Sequence, residues 1–384
     1  MKQRIYLDYA ATTTVHPEVL AEMLPCFTEQ GHNPSSLHAE GRRARAALDR
    51  ARDRVAAVLG VHRKEIVFTG SGSESDNLAL IGAVRALGRR GGHIVTSAIE
   101  HHAVLHAVDA LRDDGYDVTV LGVDERGLVD PHAFAGALRD DTLIASVMYA
   151  NNELGVVQPI AELAAAARAR GVLFHTDAVQ APAWLPVAPA ALGVDLLSLA
   201  AHKFYGPKGV GVLYARSGVA VAPAVHGGGQ EFGRRSGTEN LAGIVGFAAA
   251  LERADAGRSE RAARVGALRD RLEAGLLASI PDVRINGAGA PRLPSISNVS
   301  FAGLDAESLL ARFDLEGLAV SSGSACTSGV AEPSHVVAAL GIDPRWHGGV
   351  IRFSLGESTI DEEIGRVLAL VPRITAELRK GVTP

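Results

Sequence analysis

Short apolar runs alternate with helical patterns across residues 40–215, and no other feature of the sequence constrains the fold as strongly. Runs of this length are typical of buried strands, and the Ala-rich segments between several of them, such as 159–170, are typical of helices. This order predicts an α/β fold in which helices cover both faces of a mostly parallel, doubly wound sheet. The predicted strands are 66–68, 94–96, 118–121, 143–147, 172–174, 196–199 and 210–214.

The character of the chain changes after a long helical segment at about 240–279. The part that follows predicts a compact α+β unit, with strands at 298–301, 318–320 and 350–354 and helices that begin near 306 and 359. A chain of 384 residues is long enough for a large domain and a smaller one. We expect a large domain over residues 14–255 and a small α+β domain made of residues 1–13 and 256–384.

The composition argues against two broad classes of function. Hydrophobic residues make up 47% of the chain and charged residues 21%, as in a globular protein with a sizeable core. A formal net charge of −5 argues against nucleic-acid binding as the main function. No apolar stretch is long enough to span a bilayer.

Basic residues do cluster early in the chain. They interleave with apolar residues at helical spacing, so we interpret them as the solvated face of an amphipathic helix. The residues are Arg42, Arg43, Arg45, Arg50, Arg52 and Arg54.

The two cysteines lie about 300 positions apart in unlike surroundings, which does not indicate a disulfide framework. Cys26 lies in an apolar segment, and we expect it to be buried. Cys326 lies in the small polar run 321–329, which offers little apolar material for burial. We therefore expect an exposed thiol whose reactivity explains its presence. The N-terminus lacks the apolar region of a signal peptide, so we expect a cytoplasmic enzyme.

Polar segments follow several predicted strands, where the functional groups of doubly wound sheets collect. The segment 69–77 is rich in small residues and precedes a helix, whose free N–H groups and positive dipole end suit a phosphate. The simpler interpretation is an ordinary strand-to-helix turn with Ser73 as N-cap. Two adjacent histidines, His101 and His102, follow the strand 94–96. Because adjacent helical residues point apart, they predict a ring stacked on a planar cofactor rather than a zinc pair.

An acid and a lysine follow two further strands. Asp177 follows the strand 172–174 and suits the protonated nitrogen of a heteroaromatic ring, although an aspartate there is also a common helix N-cap. Lys203 follows the strand 196–199 between bulky neighbours, and a lysine partly removed from water can form a Schiff base. A phosphate site, an acid and a Schiff-base lysine together predict pyridoxal phosphate as cofactor.

Nearly end to end, the chain resembles the cysteine desulfurases of the class-V aminotransferase family, which are fold-type-I pyridoxal-phosphate enzymes. Several motifs in one order make this resemblance specific. The run around Cys326 resembles the long-loop, iron–sulfur-cluster type of these enzymes. The motifs occupy residues 7–13, 33–36, 74–78, 100–104, 151–155, 202–203, 226–231, 235–238, 322–326 and 352–356.

The resemblance implies a role for each matching residue. Lys203 would hold the cofactor as a Schiff base and move protons. Cys326 would attack the sulfur of the cysteine–cofactor adduct, release alanine and keep a persulfide. Arg352, with Asn152, would bind the substrate. The remaining implied roles are ring stacking and acid/base chemistry by His101, pairing of the ring nitrogen by Asp177, contacts to the oxygen side of the ring by Asn152 and Gln180, and phosphate contacts by Gly72, Ser73, His202 and, from the neighbouring subunit of a homodimer, Thr238.

One position departs from the family pattern. The family often has a serine two residues before the His-Lys pair, at the phosphate site, and this chain has Ala200. We expect the loss of one hydroxyl contact to weaken cofactor binding by roughly 1 kcal/mol or somewhat more.

Other functions stay open at this point. A related lyase acting on selenocysteine or cysteine sulfinate would depend less on Cys326, and a transaminase would have no use for it. A non-catalytic doubly wound sulfur-binding protein would carry Cys326 as a passive acceptor. Zinc binding at His101 and His102 lacks partners at metal-ligand spacing. The final sulfur acceptor is equally open among an iron–sulfur scaffold, a tRNA-thiolation carrier and a cofactor-biosynthesis protein.

Overall fold

The computed structural model describes residues 4–322 and 334–381. Its strands match the predicted apolar runs to within a few residues and add short strands that periodicity did not indicate. The strands are β1 (Ile5–Tyr6), β2 (Ile66–Thr69), β3 (His93–Ser97), β4 (Asp117–Leu121), β5 (Thr142–Ser146), β6 (Leu173–Asp177), β7 (Leu196–Ala200), β8 (Gly211–Ala215), β9 (Val283–Asn286), β10 (Ile296–Phe301), β11 (Leu318–Ala319) and β12 (Val350–Ser354).

Helices fill most of the intervals between the strands. One turn of π-helix, Leu78–Gly82, joins the third and fourth of them. The helices are α1 (Pro17–Met23), α2 (Ala39–Leu59), α3 (Gly72–Asn77), α4 (Ala83–Ala86), α5 (His102–Asp113), α6 (Pro131–Ala137), α7 (Ile160–Ala169), α8 (Pro189–Leu192), α9 (Leu241–Ala256), α10 (Arg258–Ser279), α11 (Ala306–Leu315), α12 (His335–Ala339) and α13 (Asp361–Gly381).

A seven-stranded sheet in the order β2-β8-β7-β6-β5-β3-β4 forms the centre of the molecule. Strands β4, β3, β5, β6 and β7 pair in parallel, whereas β8 runs antiparallel to both of its neighbours. The predicted α/β sheet, mostly parallel, is therefore confirmed. Its parallel strands place their carboxyl ends along a single edge.

Consecutive residues of the central strands belong to apolar clusters on opposite faces of the sheet. Phe68 and Leu197 join the cluster that contains α2 and α9, whereas Val67 and Leu196 join the cluster that contains residues of α4 and α5. Because successive strand residues point to opposite faces, this division shows that both faces are covered. Continuous apolar runs are what such doubly covered strands require.

Helix α2 contains the predicted arginine cluster, but one arginine of the cluster does not lie on the solvated face. Gly60, in the left-handed conformation at φ 67°, ends the helix. Arg52 is buried rather than solvated, and its Nη2 donates to Glu231 Oε1 at 2.6 Å. Periodicity did not reveal this because the acid that pairs with Arg52 lies far away in the sequence.

The long helical segment predicted over 240–279 is interrupted at Gly257, between α9 and α10. Glycine is a weak helix former, and the break lets α9 contact α2 while α10 packs against α13.

Two small sheets carry the remaining strands. β12, β10 and β9 form an antiparallel sheet, and β1 pairs in parallel with β11. The N-terminal segment then continues past β12, where Asp8 pairs with Ser354 in an isolated parallel bridge. This course brings residues 8–13 from the N-terminus to the edge of the central sheet. Over residues 4–322 and 334–381, no helix combines the length and apolar character needed to cross a membrane.

Candidate active site

One cavity of about 430 Å³ lies where the central parallel strands end. It collects side chains that follow β2, β3, β5, β6 and β7, together with one from β12. The predicted residues that line it are Gly72, Ser73, His101, Asn152, Asp177, Gln180, His202, Lys203 and Arg352.

The turn after β2 supplies free backbone donors at the start of α3. The N-cap is Ser71, whose hydroxyl accepts from Glu74 N at 3.0 Å; the expected alternative, Ser73, is therefore wrong as the cap. A Cβ atom on Gly72 would lie 2.9 Å from Val179 Cγ2 and 3.3 Å from the Cβ of Ala200. Because there is no space for a side chain at Gly72, the backbone itself faces the cavity, as a phosphate site needs.

The amine of Lys203 is held by the N-terminal segment. Its Nζ donates to the carbonyl oxygens of Ala10 at 2.6 Å and Ala11 at 2.8 Å. The segment is bound to the lysine's own loop as well, since Thr13 N donates to His202 O at 2.9 Å and Thr13 Oγ1 accepts from Tyr205 N at 2.8 Å. Tyr205 adopts a left-handed φ of 66°, which is unusual for a non-glycine residue. The lysine therefore lies on a constrained turn and points into the cavity.

A buried acid lies at the end of β6. Asp177 Oδ1 accepts from Val179 N at 2.9 Å. Burial raises the pKa of Asp177 to about 6, although its hydrogen bond from Val179 and the charge of Lys203 act in the opposite direction. At neutral pH this carboxylate is therefore mostly ionised, and it can pair with a protonated ring nitrogen.

A second buried acid, Asp76, also lines the cavity. Its Oδ1 lies 3.6 Å from His175 Nε2 and accepts no hydrogen bond from any residue in the described ranges. Burial, followed by the charge of Asp177, raises the pKa of Asp76 well above its usual value. Burial lowers the pKa of His175 to about 3, so its imidazole is neutral. Protonation of Asp76, which both causes favour, would avoid two like charges beside Asp177 in one buried site.

The two adjacent histidines point to different surroundings, as predicted. The His101 ring lines the cavity, whereas the His102 ring packs near His106 and His335, with centroids 5.2 and 4.7 Å away. Burial and then the charge of Lys203 lower the pKa of His101 to about 4. His101 is therefore neutral at physiological pH and can accept a proton. Within the described parts of the chain, no group of three or more His, Cys, Asp or Glu residues could hold a metal ion.

Arg352 lies in the middle of β12 with only 4% of its side chain exposed. Its Nη1 donates to the carbonyl oxygen of Asn152 at 2.9 Å, and its Nη2 donates to Asp8 Oδ1 at 2.8 Å. Its Nε is buried without a hydrogen-bond partner in residues 4–322 and 334–381. A buried cation with donors still available suits the carboxylate of a small substrate.

One predicted residue of the described chain, Thr238, does not line this cavity. Thr238 is exposed, and its proposed contact with a neighbouring subunit stays a prediction. Cys326 lies outside the described residues. Cys26 is buried, as predicted.

Other lining residues were missed by sequence reasoning. Asp76 and the carbonyl oxygens of Ala10 and Ala11 fall within motifs that carried the family resemblance, but no role was assigned to them. Backbone carbonyl contacts leave no mark in a sequence, because every residue has a carbonyl group.

These residues fit pyridoxal phosphate on structural grounds. The cavity joins a reachable amine at Lys203, a buried acid at Asp177 and a backbone cradle at Gly72 that a side chain would fill. These are the three elements that the cofactor requires of a protein.

Comparison with known proteins agrees with this geometry. A family model described as aminotransferase class-V matches residues 5–367. The chain is 46% identical over 379 residues to a cysteine desulfurase IscS from Dictyoglomus turgidum, covering 99% of this chain and 96% of that one. It is also 46% identical to the cysteine desulfurase NifS of Azotobacter vinelandii, covering 98% and 93% of the two chains.

Solved structures give the same result. A NifS-like protein superposes with a TM-score of 0.91 at 38% identity, covering 98% of this chain and all of that one. A structure of SspA in complex with cysteine gives a TM-score of 0.81 at 35% identity, covering 92% and 99% of the two chains. The fold class and the resemblance expected from the sequence are confirmed.

Proposed function

The chain belongs to the aminotransferase class-V family, and we propose that it is a cysteine desulfurase that converts L-cysteine into L-alanine and transfers the sulfur to Cys326 as a persulfide. The observation that carries this proposal is the convergence of Lys203, Asp177 and Arg352 on one cavity. An amine, a ring-nitrogen partner and a carboxylate-binding cation suit an amino-acid substrate. The similarity to named cysteine desulfurases over nearly the whole chain supports cysteine as that amino acid.

Pyridoxal 5′-phosphate, when bound, would supply the electron sink that loosens the C–S bond of the substrate. The chain's own residues would hold the cofactor in the ways that the cavity supports. Lys203 would bind it covalently through Nζ, and Asp177 would pair with its ring nitrogen. His101, Asn152 and Gln180 would contact the ring, while the turn at Gly72 and Ser73 and the side chain of His202 would face the phosphate.

Residues of the protein would then transfer the protons and the sulfur. Lys203 Nζ would take the proton from the substrate's α-carbon and return protons later in the cycle. Cys326 Sγ would form a bond to the substrate sulfur while the C–S bond breaks. The bonding electron pair would stay with the substrate carbon, which is protonated and leaves as alanine. No outside oxidant is needed, because the substrate carbon gains the two electrons that sulfur gives up when the two thiols become a persulfide.

Burial supports His101 as an acid/base group. A pKa near 4 keeps its imidazole neutral at pH 7, so it can exchange a proton with the substrate. The hydrogen bond from Ala103 N to His101 Nδ1, at 3.1 Å, fixes the ring orientation. Because Nδ1 accepts this bond, the proton of the neutral ring lies on Nε2, which can donate it. This orientation lets the His101 ring both stack on the cofactor ring and take part in proton transfer.

We also propose a homodimer, in which Thr238 reaches the phosphate site of the neighbouring subunit. The exposure of Thr238 outside its own cavity supports this assignment. The persulfide would pass to an iron–sulfur scaffold or to another sulfur-acceptor protein. A reactive thiol favours the reducing cytoplasm as the working compartment.

The test is reconstitution of the protein with pyridoxal phosphate, followed by an assay of alanine release from L-cysteine. We expect a near-visible absorbance band that borohydride bleaches, and alanine formation that depends on cysteine. Lys203→Ala should lose both, whereas Lys208→Ala, a change at an exposed lysine of the same loop, should retain both. A colourless reconstituted protein, or alanine release that survives Lys203→Ala, would refute the proposal.

A further inference from the structure

The guanidinium of Arg352 is already paired with a carboxylate of the same chain. Asp8 Oδ1 accepts from its Nη2 at 2.8 Å, and the Arg352 side chain is almost fully buried. Asp8 keeps 21% of its side chain exposed. The same guanidinium that would bind the substrate carboxylate is thus partly neutralised before any substrate arrives.

The backbone fixes Asp8 in this place. Ser354 N donates to Leu7 O at 2.8 Å, and Tyr9 N donates to Ser354 O at 3.2 Å. These two bonds hold the peptides on both sides of Asp8 against β12, two residues beyond Arg352. Asp8 is therefore a fixed partner of Arg352 and not a surface acid that meets it by chance.

We propose that Asp8 is a positioning residue that weakens the binding of α-carboxylates by Arg352, so that both cysteine and the product alanine bind loosely enough for turnover. The inference rests on the proposed function, since it requires Arg352 to bind the carboxylate of an amino acid.

The physical reason is the charge balance around a buried guanidinium. With Asp8 ionised, the pair is neutral, and a second carboxylate gives the group a net negative charge. Like charges that share a partly desolvated site repel each other far more strongly than they do in water. The geometry of Arg352 still favours binding, because its Nε is a buried donor that lacks a partner in the described residues. Asp8 thus orients the arginine while lowering its affinity.

Substrate and product share the group that Asp8 opposes. L-Cysteine and L-alanine carry the same α-carboxylate, so a residue that weakens the binding of one also weakens the binding of the other. An enzyme gains nothing in turnover from binding substrate and transition state equally tightly. Asp8 would therefore raise KM for cysteine and speed the release of alanine.

The test compares Asp8→Asn and Asp8→Ala in the reconstituted enzyme. The asparagine keeps an oxygen that can accept from Arg352 Nη2 but removes the charge. We measure the Kd of L-alanine from the change that it causes in near-visible absorbance, and KM and kcat for L-cysteine.

Asp8→Asn should bind alanine about tenfold more tightly and lower KM by a similar factor without raising kcat. Asp8→Ala should bind alanine less tightly than Asp8→Asn, because the arginine loses its orienting partner. Asp8→Ser is a second neutral variant with an acceptor, should the asparagine variant fail to fold.

Two further variants separate the possible failures. Asp314→Asn removes the ion pair of Asp314 with Arg4 in the same N-terminal segment. Neither residue lines the cavity, so this change should leave the Kd of alanine unchanged. Arg352→Lys should weaken alanine binding. If it does not, the proposed role of Arg352 fails. If Arg352→Lys weakens binding but Asp8→Asn leaves the Kd unchanged or raises it, the assignment of Asp8 is overturned while the proposed function stands.

Discussion

Ser321 and Arg352 exchange two backbone hydrogen bonds, with Arg352 N donating to Ser321 O at 2.6 Å and Ser321 N donating to Arg352 O at 3.3 Å. Ser321 precedes Cys326 by five positions in the sequence. The described chain resumes at Ser334, whose hydroxyl donates to Glu153 Oε2. Glu153 is adjacent to Asn152, whose carbonyl oxygen accepts from Arg352 Nη1. One flank of the cysteine segment is therefore bonded to the proposed substrate-binding arginine itself, and the other is bonded to the sequence neighbour of a residue that contacts this arginine.

Restoring a hydroxyl at position 200 should strengthen cofactor binding. Ala200 lines the cavity, where related enzymes often have a serine at the phosphate site. We expect Ala200→Ser to lower the Kd of pyridoxal phosphate about fivefold, which corresponds to about 1 kcal/mol, the net contribution of a typical hydrogen bond. Titration of apoenzyme with the cofactor, followed by absorbance, measures this change. Ala201→Ser, at a buried neighbour that does not line the cavity, should give no gain. An unchanged or higher Kd for Ala200→Ser would count against the phosphate site.

Glu100 should make the protein less stable as the pH rises. Burial raises its pKa to about 8, although Ser97 Oγ and Met148 N both donate to its carboxyl group. The native state therefore keeps a proton that the unfolded chain releases above its ordinary value near 4.5. Because the native state binds more protons between these values, stability contributed by this group falls as the pH rises from about 4.5 to 8.

The matched measurement is the melting temperature of Glu100→Gln and the wild type from pH 5 to pH 8. The amide mimics the protonated acid. The melting temperature of the variant, relative to that of the wild type, should therefore rise with pH across this range. Glu29→Gln, at an exposed position, serves as control. A difference between Glu100→Gln and the wild type that stays constant or shrinks with pH would show that Glu100 is ionised in the native state.

Breaking the buried pair of Arg52 and Glu231 should strongly destabilise the fold. Arg52 Nη1 also donates to Ile66 O at 2.8 Å, and its guanidinium lies 4.7 Å from the centroid of the Phe68 ring. Arg52→Ala leaves the Glu231 carboxylate buried without its cation, which costs about 3–5 kcal/mol. Urea unfolding measures the loss. Arg63→Ala, which removes a partly exposed pair with Asp49, should cost less than about 1 kcal/mol. Equal costs for the two variants would contradict this account.

The elements that could be predicted from the sequence are those with a local physical signature. Central strands are buried on both faces and read as continuous apolar runs, and the polar segments after them mark the edge where the site forms. The short strand β1 lacks such a signature, because its partner β11 is distant in sequence. Strand β9 was also not predicted, although its partner β10 is the next strand in the chain. The proposed domain division at residues 14 and 255 stays a prediction.

The same limit applies inside the site. Lys203 and Asp177 were predictable because their residue types after apolar strands carry recognisable chemistry. The contact of Asp8 with Arg352 spans 344 positions, and the burial of Arg52 depends on an acid 179 positions away. Charge patterns along the sequence do not reveal such pairs, since the fold alone brings them together.

Mass spectrometry of the Cys326 peptide, after brief exposure of the reconstituted enzyme to L-cysteine, shows whether this residue receives the sulfur. We expect the mass of one added sulfur atom on this peptide in the wild type, accompanied by alanine. Lys203→Ala should show neither product, and Cys326→Ala should bind the cofactor yet form no persulfide and release no alanine. Sulfur found on Cys26 instead, or alanine released at the wild-type rate by Cys326→Ala, would contradict the account.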